Sequence, residues 1–291
     1  MPFSIKDLEN LTGIKAHTIR IWEQRYTFLK PQRTKTNIRH YSNEELKNFL
    51  NIALLNKHGY RISQIEKMSE NQIRDTILSL PVIAGDDILI NELIKAMTDV
   101  NIRYFEQKLD EYLGVQGTEN AVLNIIYPFL ERIGILWLTG NINPAQEHLV
   151  SNVIRQKIIV GIEHLPIPDE GNVKACLFLP NGEYHEMALL FVCYLMKKKG
   201  INVIYVGNST PLKDIESICN VTKPQILYTH LTTAGRNFNF EFFLQELSIK
   251  FSSYEILISG KLTEVYSRKV PKQITLMYSL KEVLKYIADI K

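Results

Sequence analysis

The sequence lacks the features that mark secreted, membrane-spanning and zinc-binding proteins. No apolar run reaches the roughly 18 residues that a membrane span needs, and the first residues lack the basic and apolar stretches of a secretory signal. The only cysteines are Cys176, Cys193 and Cys219, and no two of them form a CxxC pair. This scattered, odd set argues against a disulfide framework or a zinc finger and favours a reducing compartment. We therefore expect a cytoplasmic protein with no membrane partner.

The sequence has little net charge, but that charge is unevenly distributed. Residues 1–75 contain 13 Lys+Arg and 8 Asp+Glu, a balance of +5, whereas the whole chain has a formal charge of +3. All of this excess lies within residues 1–39. Residues 1–75, here called the head, are basic, and the rest of the chain is near neutral. This asymmetry indicates a polyanionic partner for the head. The 291 residues leave room for two or three domains.

The spacing of residues 1–75 predicts an all-α winged helix-turn-helix. Ser4 is a candidate N-cap for a first helix, and Thr12-Gly13 provides the turn before a second helix from about Lys15 to Arg25. Residues 28–41 have a basic, turn-forming centre between apolar ends, which predicts a small β-hairpin or wing. The next helix begins near Ser42 and ends at Gly59.

Long cationic side chains on the second helix and the wing can reach phosphates and guanine edges. Each basic residue taken alone fits an ordinary solvated charge. The helix-turn-helix order and the localised charge together favour double-stranded DNA as the partner. The predicted DNA-contacting residues are Lys15, Thr18, Arg20, Arg25, Tyr26, Arg33, Lys35, Arg39 and Tyr41.

Several segments of the head carry a family resemblance. Thr12-Gly13-Ile14, residues 18–26 (TIRIWEQRY), Leu29-Lys30-Pro31 and Arg39-His40-Tyr41 resemble the MerR family of winged-helix transcription regulators, over about residues 3–70. The resemblance implies a homodimer, or a homotetramer, that reads a pseudo-palindromic promoter element. It also implies an effector region towards the C-terminus. Metal-sensing members have cysteines in that region, and the absence of cysteine before residue 176 argues against such a sensor.

After residue 75 the pattern of apolar residues changes once, from a helical region to a region of alternating strands and helices. Residues 76–165 show helical periodicity with short breaks, which predicts a central four-helix bundle. Residues 170–291 alternate helices with near-continuous apolar strands at 173–179, 201–206, 224–231, 254–259 and 273–278. This pattern predicts an α/β domain with a doubly wound, flavodoxin-like, five-stranded parallel sheet.

His185 is the most informative residue of the α/β domain. It follows the first predicted strand directly, so it lies at the carboxyl edge of the sheet, where such folds bind ligands. A neutral imidazole binds transition metals, and Glu183 is placed to hold its other ring nitrogen. Taken singly, these residues also fit ordinary structural roles. His185 fits a solvated loop histidine, His148 an interhelix contact, and Trp137 a core residue.

Residues 173–291 resemble the cobalamin-binding domain of methionine synthase and corrinoid proteins. That family has Asp-x-His-x-x-Gly, Ser-x-Leu and Gly-Gly motifs, which correspond here to residues 183–188, Thr229-His230-Leu231 and Gly260-Lys261. Residues 205–211 fit the loop after the second strand. Ala188 and Lys261 depart from the pattern, and Lys261 places a side chain where the backbone approaches the cofactor. The residues that this resemblance assigns to the cofactor are Glu183, His185, Thr229, Leu231 and Gly260; Trp137, Glu147 and His148 are assigned to it by a second resemblance, of the preceding helices.

Trp137 followed by Glu147-His148 resembles the helical cap of CarH/LitR-type photoreceptor repressors. The resemblance implies that Trp137 covers the upper ligand and that His185 is the lower axial ligand of cobalt. His148 would bind the upper cobalt face after photolysis. The implied function is a DNA-binding repressor gated by adenosylcobalamin, with light as a signal. An alternative is a regulator whose C-terminal region binds no cofactor and serves dimerisation or protein interaction. An enzyme is disfavoured, because no segment can supply a substrate-presenting barrel of about 250 residues.

Overall fold

A computed structural model describes residues 3–12, 14–28, 30–33, 39–80, 87–138, 142–169, 173–232 and 238–290. The chain divides into two compact units, Met1–Val153 and Ile154–Lys291. The division predicted from the sequence, at 1–75, 76–165 and 170–291, is finer and stays a prediction. Among the described helices, none is long and apolar enough to cross a membrane.

The first unit begins with the predicted winged helix-turn-helix. The two strands of the wing pair antiparallel, with Gln32 opposite His40 and Arg33 opposite Arg39. The elements are α1 (Ile5–Thr12), α2 (Ala16–Arg25), β1 (Gln32–Arg33), β2 (Arg39–His40), α3 (Asn43–Lys57), α4 (Ile62–Ile65) and α5 (Glu70–Leu78).

Local sequence signals account for these boundaries. Ser42 forms a capping box at the start of α3, because its Oγ accepts from the Glu45 amide while the Glu45 carboxylate accepts from the Ser42 amide. Gly59 follows α3 with a φ of +90°, a conformation that ends helices. Ile19 and Trp22 of α2 are buried, as the helical spacing predicts. The opposite face of α2 is therefore available to a partner.

Four consecutive helices follow the head, as predicted. They are α6 (Asp87–Thr98), α7 (Ile102–Ala121), α8 (Tyr127–Leu138) and α9 (Pro144–Glu163), with a π-helical turn at Val122–Ile126 between α7 and α8. Phe105 and Phe129 meet in the core, with ring centroids 5.4 Å apart. Gly117 interrupts α7 with a φ of 77°, within the break between helices that the sequence predicts at Gly114 to Gly117.

The second unit contains a five-stranded parallel sheet, which confirms the predicted fold class. Its strand order is β4-β3-β5-β6-β7. The elements are β3 (Lys174–Pro180), α10 (Glu186–Lys198), β4 (Asn202–Thr210), α11 (Leu212–Thr222), β5 (Ile226–His230), α12 (Phe240–Lys250), β6 (Glu255–Ser259), α13 (Lys261–Glu264), β7 (Ile274–Leu276) and α14 (Leu280–Asp289).

The segment after the second strand of the sheet differs from the prediction. Residues 205–211 were predicted as a loop, but β4 continues through Thr210. Its pairing with β3 shifts register on either side of Phe178, and Gly207 and Ser209 have positive φ angles of 92° and 48°. At this irregular stretch the sequence lacks the continuous apolar pattern of a buried strand. The prediction therefore ended the strand too early.

The strand order places a crevice at the carboxyl end of β3. The chain moves from β3 to one neighbour, β4, and then crosses to the other neighbour, β5. Open α/β sheets bind ligands at this reversal, because the loops there diverge to opposite faces. Residues 181–185 form the loop that follows β3 at this point.

Candidate functional site

Glu183 holds the ring of His185 in one orientation. Its Oε1 accepts from Nδ1 of His185 at 2.5 Å, and from the backbone amides of Tyr184 and His185 at 2.9 and 3.0 Å. Its Oε2 accepts the amide of Thr232 at 2.9 Å. Glu183 is 2% exposed, whereas the His185 side chain is 54% exposed. A carboxylate bound to Nδ1 makes Nε2 the ring nitrogen suited to a metal.

Two further predicted cofactor residues lie at the end of β5. Thr229 is fully buried, and its Oγ1 has no hydrogen-bond partner among the described residues. A buried hydroxyl without a partner is costly, so its presence indicates a group that a ligand can satisfy. Leu231 is fully buried, and its amide donates to the carbonyl of Ser259 at 2.8 Å. The ends of β5 and β6 are therefore tied together beside the loop of His185.

Gly260 allows an unusually close approach of two backbones. It follows β6 with a φ of +104°, and a Cβ built there lies 2.4 Å from the carbonyl oxygen of Leu231. No side chain fits at this position, which explains why glycine is found there. The adjacent Lys261, which departs from the Gly-Gly pattern, is exposed in the first turn of α13. Lys261 therefore leaves the contact between Gly260 and Leu231 intact.

A buried hydrogen-bond chain at this edge was not predicted from the sequence. The Ser259 hydroxyl lies 2.5 Å from the hydroxyl of Tyr228 and 2.7 Å from Nδ1 of His230. Burial lowers the pKa of His230 to about 4, so the ring is neutral at physiological pH. The parallel register that pairs His230 with Ser259 creates this chain. The separate motifs give no signal for it.

Glu186, the first residue of α10, supports the loop from its other side. Its carboxylate accepts from the hydroxyl of Tyr205 at 2.9 Å and from Nδ2 of Asn208 at 3.3 Å, and it lies 3.8 Å from Nη2 of Arg155. Burial and the bond to Glu186 raise the pKa of Tyr205. No role for Glu186 follows from the sequence motifs, although a second carboxylate beside His185 was a signal for one.

Glu147 and His148 repeat the carboxylate–imidazole arrangement in α9. Nδ1 of His148 lies 2.8 Å from Oε2 of Glu147, and Oγ of Ser151 donates to the other carboxylate oxygen. The His148 side chain is 71% exposed. Trp137 belongs to α8, but its side chain lies outside the described part of the chain. The structure thus brings together Glu147 with His148 in the first unit, and Glu183, His185 and Thr232 in the second.

Most of the predicted DNA-contacting residues are accessible. Lys15 is exposed and paired with Glu9 at 3.1 Å, and this bond together with the Ala16 amide lowers the pKa of Glu9. Thr18 and Tyr26 are half-buried, and Lys35 lies outside the described residues. The remaining exposed members of the set are Arg20, Arg25 and Arg33.

Glu23 of α2 connects the predicted recognition helix to the wing. Its Oε2 accepts from Nε of Arg39 at 2.9 Å, and its Oε1 accepts from the hydroxyl of Tyr41. Tyr41 has no exposed surface, so the prediction that it contacts DNA is wrong in this conformation. Burial, reinforced by the bond to Glu23, raises the pKa of its hydroxyl. Its role is to hold the wing against α2.

Two family models match the chain in consecutive regions. A model described as MerR HTH family regulatory protein matches residues 3–72, and a model described as B12 binding domain matches residues 89–160. The first covers the winged helix-turn-helix. The second covers the helices that contain Trp137, Glu147 and His148.

Relatives are found for most of the chain. The HTH-type transcriptional repressor CarA of Myxococcus xanthus is 24% identical over 273 residues, covering 89% of this chain and 87% of that protein. The repressor CarH of the same organism is 25% identical over 233 residues, covering 77% of each. Among solved structures, the monomethylamine corrinoid protein of Methanosarcina barkeri matches with a TM-score of 0.57 and 12% identity, covering 70% of this chain and 99% of that one. The chain is thus homologous to two transcriptional repressors, and it shares its fold with a corrinoid protein.

Proposed function

We propose that this homologue of transcriptional repressors binds DNA under the control of adenosylcobalamin and serves as a light sensor. The observation that carries the proposal is the imidazole of His185, fixed through Nδ1 by the buried Glu183 at the ligand-binding edge of the sheet. The match of residues 89–160 to a B12 binding domain supports cobalamin as the ligand class. The adenosyl form and the light response come from the resemblance to photoreceptor repressors.

The residues at the edge of the sheet fit a corrinoid. Nε2 of His185 would suit cobalt, because Glu183 fixes the ring through Nδ1 and is itself held by the Thr232 amide. The buried Oγ1 of Thr229 offers a hydrogen bond that the described part of the protein does not use. Gly260 lets two backbone segments approach, and the exposed Lys261 does not obstruct them.

Both units would contribute residues that contact the cofactor. When bound, adenosylcobalamin supplies a cobalt–carbon bond that light breaks. His185 would bind the cobalt, and Trp137, Glu147 and His148 would contact the light-sensitive adenosyl ligand. Glu147 orients His148 through Nδ1, which leaves its Nε2 side suited to binding cobalt after photolysis. A cofactor regulates DNA binding only if it binds two states of the protein unequally.

In this proposal, the head binds DNA and so converts the state of the cofactor into a change in transcription. The basic residues of α2 and the wing would contact a pseudo-palindromic element of double-stranded DNA, with two or four copies of the chain acting together. The cofactor-bound state in the dark would favour the assembly that represses transcription. The protein would act in the cytoplasm, and no catalytic role is assigned to the site.

The test is an absorbance spectrum of the purified chain after mixing with adenosylcobalamin in the dark and removing unbound cofactor. We expect a retained chromophore in the unsubstituted protein and its loss in His185→Ala. Gel filtration and operator binding before and after illumination then test the gating. No retained chromophore in the unsubstituted protein would refute the proposal and favour a cofactor-free interaction domain. A retained chromophore with unchanged elution and DNA affinity would refute the gating alone.

A further inference from the structure

Arg132 is a buried arginine in the first unit. It lies in α8, is 5% exposed, and its Nη2 donates to the backbone carbonyl of Ile77. Its neighbours in the sequence, Ile133 and Leu136, are core residues. A buried guanidinium is unfavourable unless it makes specific bonds, and the bond to Ile77 is one of these.

Arg132 bonds to the last turn of one helix of the head, and its charge acts on the C-cap residue of another. Ile77 belongs to the last turn of α5, and His58 is the C-cap of α3. Burial and the positive charge of Arg132 lower the pKa of His58, and α5 packs directly on α3. Carbonyl groups at a helix C-terminus carry partial negative charge, so a cation there stabilises the helix end.

These helix ends belong to a continuous packed path to the predicted recognition helix. α5 packs on α3, α3 packs on α1, and α1 packs on α2. At the other end of the path, α8 contains both Arg132 and Trp137. The helix α8 therefore contains both a residue predicted to cover the cofactor and a residue that bonds to α5 of the DNA-binding head.

We propose that Arg132 couples the cofactor to the head, by transmitting a movement of α8 to the C-terminal ends of α5 and α3. The inference rests on the proposed function, since it names how the same site regulates DNA binding. Displacement of α8 relative to Ile77 would break this charge-assisted bond and so change the contact between α8 and the end of α5.

The first experiment measures operator DNA affinity in the dark with and without adenosylcobalamin. The ratio of the two dissociation constants is the coupling, which for such systems is on the order of 5- to 150-fold. We expect it to fall below about twofold in Arg132→Met, while cofactor affinity stays within about threefold of the unsubstituted value. Arg132→Lys keeps the charge without the planar fork and should lie between the two. Arg103→Met, an exposed position on α7, is the matched control and should keep the full coupling.

The outcomes separate the two proposals. If the unsubstituted protein retains no chromophore, the proposed function fails and the coupling role fails with it. If the unsubstituted protein shows coupling and a folded Arg132→Met retains it, only the role of Arg132 is refuted.

A second measurement uses the unsubstituted protein and so does not depend on the variants folding. Backbone amide hydrogen exchange is compared with and without adenosylcobalamin in the dark. We expect a change of at least about threefold in the exchange rates of residues 74–80 and 54–58, together with changes in α8, because amides exchange through local opening. Changes confined to the bundle and the α/β unit would overturn the proposal.

Discussion

Oε1 of Glu183 lies 2.5 Å from Nδ1 of His185 and accepts two backbone amides as well. One oxygen therefore organises both the loop and the ring that the loop presents. The arrangement recurs in outline at Glu147 and His148, where the carboxylate lies 2.8 Å from Nδ1. In both pairs the carboxylate selects the ring nitrogen that remains for another ligand. This relationship carries the proposal of a corrinoid site, and it suggests the first prediction.

Glu183→Gln should weaken adenosylcobalamin binding by about 10- to 100-fold without unfolding the protein. The amide preserves the side chain's shape but lowers the basicity of His185 and disturbs its orientation, a loss typical of groups that support a metal ligand. A dark absorbance titration measures the affinity, and circular dichroism checks the fold. Glu264→Gln, at an exposed position of α13, is the control and should bind normally. Equal affinities for the two variants would contradict the assigned role.

Gly260→Ala should destabilise the α/β unit by at least about 2 kcal/mol, because the residue would be held at a strained φ with its Cβ against a carbonyl. The cause is the φ of +104° together with the backbone carbonyl of Leu231, which an added Cβ would meet. The control is Gly114→Ala, since a Cβ there meets nothing within 4 Å and the helix gains about 0.5–1 kcal/mol. Thermal unfolding followed by circular dichroism gives both shifts. A neutral effect at Gly260 would show that the backbone relaxes there.

Arg20→Met should lower the affinity for operator DNA and reduce the slope of log affinity against log salt by about 1, as for the loss of one phosphate contact. Arg20 is exposed on α2, so its charge can reach a phosphate. Tyr41→Phe should leave the salt slope unchanged, because the ring is buried and its hydroxyl bonds to Glu23. Fluorescence anisotropy at several salt concentrations measures both slopes. Identical slopes for Arg20→Met and the unsubstituted chain would remove Arg20 from the DNA contact.

The protein should lose stability as the pH falls from about 6.5 to about 4, through the burial of His230. Its pKa is lowered in the folded state, so the unfolded chain takes up the proton first and is favoured by acid. Above pH 6.5 the ring is neutral in both states, so His230 does not lower the free energy of unfolding. Below pH 4 it lowers the free energy of unfolding by up to about 3 kcal/mol.

Urea denaturation at several pH values tests this dependence. His230→Gln, which can still bond to Ser259 but does not titrate, should show a shallower dependence over the same window. If the two proteins lose stability in parallel, another group is responsible.

The amino-acid sequence determined the elements and their classes. The helical spacing of Ile19 and Trp22 predicted the buried face of α2, and the five apolar runs predicted the five parallel strands. Cap residues such as Ser42 and Gly59 fixed helix ends because they act on backbone groups a few residues away. The pairing of Glu183 with His185 could also be predicted, since the two lie close together in the chain.

Only the tertiary structure decided which distant residues meet. Tyr41 follows the wing as DNA-contacting residues do, but folding buries it against Glu23, 18 residues away. Ser259 joins Tyr228 to His230 through the sheet register, and Arg132 reaches Ile77 across 55 residues. Local spacing acts through short-range backbone geometry, so sequence determines it directly. Contacts between distant residues depend on strand order and helix packing, which involve the whole chain at once.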